Sequence, residues 1–81
     1  MAPRPRQLSG RQVVRVLEAF GFEIASTRGT HAKLRRVRPD GSDILTVPLH
    51  RVLAPGTLRA IYRQACRFVP EEELRGRFFT D

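Results

Sequence analysis

RGTHAKLRRVRPDGSDILTVP, residues 28–48, is the stretch whose alternation decides the fold. Arg28-Gly29-Thr30 reads as a turn and about His31 to Arg38 as a strand. Pro39-Asp40-Gly41-Ser42 then supplies hairpin chemistry, because proline presets φ and Gly41 can take a positive φ. Asp43 to Pro48 is rich in Ile, Leu, Thr and Val and reads as the next strand. Successive side chains of a strand point to opposite faces, so Ala32 and Leu34 share one face and can pack on helices. His31, Lys33 and Arg35 share the other. They form a row about 13–14 Å long, which suits two or three successive phosphates better than a small molecule.

Outward from this hairpin the pattern becomes helical on both sides. Ser9 and Gln12 fit a capping box, and Leu8 and Val13 can close a hydrophobic staple over it. Val13, Leu17 and Phe20 form one apolar stripe, and Gly21 sits where a glycine usually ends a helix, so a helix spans about residues 9–20. Phe22 and Ile24 alternate with Glu23 and Ala25, which predicts a short strand to Thr27. After a loop at His50-Arg51-Val52, Pro55 opens a second helix over 55–66, with Leu58, Ile61 and Ala65 as its stripe. Pro70 and Glu71-Glu72-Glu73 predict a short third helix start, with acid against the positive helix end.

The expected organisation is a flexible N-terminal arm over 1–7, one α+β domain over 8–69 and an acidic helix or tail over 70–81. One domain with one core is all that 81 residues allow, and at this size stability is marginal.

Charge narrows the partners. The chain carries fifteen Lys and Arg against eight Asp and Glu, a net +7. The excess is uneven: residues 1–69 hold thirteen cations against four acids, whereas 70–81 hold two against four. A body so basic attracts polyanions. Fourteen of the cations are Arg, whose planar fork suits phosphate, although a GC-rich genome would also favour Arg over Lys. The lone Cys66 excludes an internal disulfide and a thiol-based zinc site. MAPRPRQLSG lacks the apolar core of a signal peptide, and no run is long enough to span a bilayer. The expectation is a cytoplasmic, soluble protein.

Most enzyme chemistries lack their residues here. The two histidines lie nineteen positions apart. No carboxylate pair has metal-ligand spacing, and there is no glycine-rich phosphate loop or Gly-x-Ser-x-Gly elbow. RNA cleavage asks for less. The substrate brings its own nucleophile, the 2′-hydroxyl, so a histidine to move protons and cations to stabilise the phosphorane suffice without a metal. The same basic strand face could also be a solvated surface.

Leu8-Ser9-Gly10, Gly21-Phe22, Gly29-Thr30-His31, Val47-Pro48-Leu49-His50 and Pro55-Gly56-Thr57-Leu58-Arg59-Ala60-Ile61, in this order and spacing, resemble the HicA toxins of bacterial toxin–antitoxin systems. The resemblance covers roughly residues 8–67. It implies a double-stranded-RNA-binding-like α-β-β-β-α fold, a three-stranded antiparallel sheet with both helices on one face. It also implies an endoribonuclease (an mRNA interferase) that cleaves mRNA and inhibits translation, neutralised by a HicB-type antitoxin. The family's catalytic histidine falls at His31; Thr30 stands where serine is commoner.

These readings give His31 as general acid or base, with Lys33 and Arg35 as phosphate contacts, and Gly29 and Thr30 shaping the turn. His50 is a partner acid, a substrate contact or a loop histidine. Arg59 and Arg63 could extend the phosphate track or merely solvate their helix. No cofactor and no metal are expected. The antitoxin should cover the basic face with acidic residues, and the acidic tail could fold over the sheet. The rivals are a non-catalytic RNA-binding module of the same fold and a pure interaction protein.

Overall fold

Ser9 starts the first helix in the manner its spacing requires. Its Oγ accepts the Gln12 N–H at 3.1 Å, while the Gln12 carboxamide oxygen accepts the Ser9 N–H at 2.8 Å. The computed structural model describes residues 3–80. In chain order the elements are β1 (Arg4–Pro5), α1 (Gly10–Glu18), β2 (Glu23–Arg28), β3 (His31–Arg38), β4 (Gly41–Pro48), α2 (Pro55–Ala65), α3 (Glu71–Phe78) and β5 (Phe79–Thr80). Gly21, at φ +95°, ends α1 by letting the Phe22 N–H turn back to the Leu17 carbonyl at 3.2 Å.

Strands β2, β3 and β4 form an antiparallel sheet in that order. Ala32 pairs with Val47 and Leu34 with Leu45, so four apolar side chains point to one face. Val13 and Leu17 of α1 and Leu58, Ile61 and Ala65 of α2 join them, none more than 4 % exposed. Full burial of such a side chain stabilises by roughly 1.5–3 kcal/mol. Both helices therefore cover one face and leave the other open. This is the expected double-stranded-RNA-binding-like α-β-β-β-α fold, with α3 added.

Four details depart from the sequence reading. First, β4 begins at Gly41 rather than near Asp43. Gly41 and Ser42 pair with Arg38 and Val37, so the hairpin turns on Pro39 and Asp40 alone. Second, Ile24 is 47 % exposed. The helices pack chiefly over β4, and a bulge between Ile24 and Ser26 breaks the alternation of this edge strand.

Third, the expected N-terminal arm is paired over its described part. Arg4 faces Thr80 and Pro5 faces Phe79, the Arg6 N–H reaches the Phe78 carbonyl at 2.8 Å, and Arg6 Nε donates to the Gly76 carbonyl at 3.0 Å. Met1 and Ala2 lie outside the described residues. Fourth, the acidic tail does not fold over the open sheet. Leu74 and Phe78 are fully buried in the core, and the Tyr62 hydroxyl donates to Glu71 at 2.9 Å, so α3 packs against α2. Two large apolar side chains in a helix with so many charges outweigh any attraction of its acids for the basic face. They draw β5, and with it β1, onto the helical side.

Candidate functional site

Two tight turns and one close approach bring the histidines together. The β2–β3 turn has two residues, Gly29 and Thr30, with Gly29 at φ +58°, a conformation glycine adopts without a Cβ penalty. It sets His31 as the first residue of β3, opposite Arg28 on one side and Pro48 on the other. The Thr30 hydroxyl lies 3.5 Å from His31 Nδ1, at the outer limit of a hydrogen bond.

The segment after β4 is held from both sides. The Leu49 N–H donates to the Thr30 carbonyl, and the Gly10 N–H donates to the His50 carbonyl at 2.9 Å. Gly10 admits no side chain, because a Cβ there would stand 2.0 Å from the Pro48 carbonyl oxygen. The start of α1 thus clamps the backbone that carries His50. The result is an exposed pair of imidazoles, His31 and His50, with ring centroids 6.4 Å apart in an edge-to-face arrangement.

The open face beside them is basic. Ser26, Arg28, His31, Lys33 and Thr46 line one cavity of about 320 Å³. Lys33 pairs in register with Ser26 and Thr46, and Arg35 with Glu23 and Ile44, so all of these share the face of His31. Neither Lys33 nor Arg35 has an ion pair among the described residues. An anion beside Lys33 and Arg28 would lie within reach of an imidazole that can give or take a proton.

The structure joins His31, His50, Lys33, Thr30 and Gly29 at one end of the sheet and places Arg35 one side-chain repeat farther along. Arg59 and Arg63 are exposed on α2, which covers the opposite side of the sheet. Arg28 was missed by the sequence reading. The two-residue turn implies its place opposite His31, but only once that turn length is known.

Other chemistries find little here. Among the described residues no three His, Cys, Asp or Glu side chains gather as metal ligands, and no helix is long and apolar enough to cross a membrane. Burial, with Glu71 nearby, pushes the Cys66 thiol up against the opposing effect of its hydrogen bond with Tyr62, which disfavours a thiolate nucleophile.

No curated protein and no solved structure matches the chain. A family model described as HicA toxin of bacterial toxin-antitoxin matches residues 10–65, from the glycine that clamps His50 to the last turn of α2. With most of its length so matched, and with the fold that the family resemblance implies, the chain belongs to the HicA toxin family of bacterial toxin–antitoxin systems.

Proposed function

We propose that the protein is a metal-independent endoribonuclease that cleaves mRNA in the cytoplasm, arrests translation, and is neutralised by a HicB-type antitoxin. The observation that carries the reading is the pair of imidazoles 6.4 Å apart at the edge of an unpaired basic face.

RNA is the substrate that such a site can cleave without help, because the nucleophile lies in the substrate. One imidazole accepts the proton of a 2′-hydroxyl as its oxygen attacks the adjacent phosphorus. The P–O5′ bond then breaks, and the other, protonated imidazole donates to the departing 5′-oxygen. The products are a 2′,3′-cyclic phosphate and a 5′-hydroxyl. His31 and His50 divide these two roles. Lys33 and Arg28 stabilise the charge on the equatorial oxygens, a task for fixed cations. Arg35 holds the strand farther along. Thr30 and Gly29 keep His31 at the strand start. A protein inhibitor presenting carboxylates to the same cations would block the site by imitating phosphates.

The test is cleavage of a short RNA in EDTA, beside the same oligomer with one 2′-deoxy sugar at the mapped cut. Cleavage of the first alone is expected. Cleavage of both would mean attack by water and overturn the mechanism. Cleavage of neither, with tight binding, would make the protein an RNA-binding module.

A further inference from the structure

We propose that the far end of the same sheet face is a subsite that reads a guanine base of single-stranded RNA. The inference deepens the ribonuclease reading and rests on it for the strand's path.

A second cavity, of about 370 Å³, opens on the sheet beyond Lys33 and is lined by Gly21, Glu23, Ile24, Ala25, Arg35 and Val37. Its volume lies within the range of small-molecule sites. Its walls combine an apolar surface with two opposite charges. Val37 is 73 % exposed on the open face, and Ile44, opposite Arg35 in register, is 41 % exposed. Apolar side chains this exposed in a sheet of such high charge offer a flat face on which a base can rest. Gly21 adds no side chain to the rim. The bulge between Ile24 and Ser26 leaves Ala25 without a partner across the ladder and bends β2 at this point.

The polar groups select the base. Glu23 and Arg35 stand opposite each other in register, yet no ion pair joins them. A carboxylate only accepts hydrogen bonds and a guanidinium only donates them. Guanine meets both demands, because its N1–H and 2-amino group are donors on one edge, while O6 and N7 accept a bidentate Arg on another. Adenine presents an acceptor at N1 to the carboxylate and only one acceptor to the Arg. Uracil and cytosine are smaller and have no N7, so neither offers an Arg the paired acceptors that guanine presents at O6 and N7. Unstacked bases of single-stranded RNA are read on these edges.

Position ties this subsite to the chemistry. Arg35 lies two side-chain repeats from His31 on β3, about 13–14 Å along the strand. An RNA strand running along β3 with its scissile phosphate at His31 would place a base about two nucleotides away over Arg35 and Val37. Cleavage should therefore occur at a fixed offset from guanine.

The experiment uses the full chain and octauridylates in which a single guanosine is moved one position at a time, with adenosine and inosine series beside them. Inosine keeps N1–H, O6 and N7 but lacks the 2-amino group. Cleavage should follow the guanosine at a constant two-nucleotide offset and be about tenfold faster than in unsubstituted octauridylate, the size of one good bidentate base contact. Inosine should fall between guanosine and adenosine. E23Q should lose most of the guanosine preference, and since Glu23 is exposed and without an ion pair, its melting temperature should match the parent's. Equal cleavage of every series, or an E23Q variant that keeps its preference, would overturn the subsite while leaving the ribonuclease reading in place; the cavity would then belong to a protein partner. If no oligomer is cut, fluorescence anisotropy decides. Tighter binding of the guanosine series supports the subsite and removes the ribonuclease reading, whereas equal or absent binding overturns both.

Discussion

Strand β3 carries five cations and histidines on alternating sides of one sheet, and the two sides use them in opposite ways. On the open side His31, Lys33 and Arg35 face solvent and form no ion pair among the described residues. On the helical side Arg36 and Arg38 converge on Asp43, which is 1 % exposed. Arg36 Nη2 lies 2.7 Å from Asp43 Oδ2, and Arg38 Nη2 lies 2.9 Å from Oδ1. Arg36 also donates to the Phe20 carbonyl at 3.2 Å and to the Phe68 carbonyl at 2.8 Å, and its guanidinium stacks 5.0 Å from the Phe22 ring. One side chain thus satisfies the backbone just after α1 and just after α2 and fastens both to the sheet. The same residue type, one position along, changes from a solvent-facing cation to a structural clamp. Composition cannot separate the two uses. Strand parity and the burial of the facing carboxylate can, since Asp43 is buried whereas Glu23, in register with Arg35, is exposed.

The sharpest way to break this comparison is at His31. H31A should lower cleavage by about 10²–10⁴-fold, the usual contribution of an acid–base group, with little change in melting temperature because His31 is exposed. Retained turnover would remove His31 from the chemistry.

Asp43 should respond in the opposite sense. D43A leaves two guanidinium groups without their anion and should destabilise the fold by about 2–3 kcal/mol. That is less than a fully buried pair would cost, since Arg36 and Arg38 retain solvent contact. Urea unfolding measures it.

The same carboxylate sets an acid limit. Burial alone would raise its pKa, but hydrogen bonds from Arg36 and Arg38 outweigh burial and hold it below the ordinary carboxylate value. Its contribution to stability is therefore fully present above the unfolded pKa, near 3.9, and is lost as pH falls through the lower folded value. Urea midpoints taken from about pH 5 to pH 2 should fall more steeply for the parent than for D43N.

The smallest effect should come from Lys33. K33A should weaken RNA binding a few-fold and reduce the slope of log affinity against log salt by about 0.7, as one phosphate contact to a single strand requires. R36A should instead lower stability and leave that slope unchanged. A salt slope that moved equally in both variants would dissolve the distinction between the two sides.

Much of the fold was legible in the residues. Ser9, Gln12 and Gly21 mark both ends of α1 because capping and positive φ are local demands that few residue types meet. The parity of Ala32 and Leu34 against His31, Lys33 and Arg35 assigned both faces of β3 correctly, since a strand buried on one side allows one register. The candidate site was only partly legible. The row on β3 could be read from alternation, but His50 stood nineteen positions away with three open roles. What brings it to His31 is a pair of backbone hydrogen bonds to Thr30 and Gly10 and the absence of a Cβ at Gly10, none of which has a local signature. Arg28 and Glu23 gained their partners only through the register of an edge strand with a bulge.

By itself, then, the sequence determined the local elements, the single core and the excess of positive charge, because caps, turns and periodicity act between near neighbours. The tertiary structure decided which cations remain free and which are held by Asp43, that Gly10 and Thr30 juxtapose two distant histidines, and that the tail joins the helical layer. These outcomes depend on contacts between residues far apart in the chain, whose energies exist only once the sheet and its helices have packed.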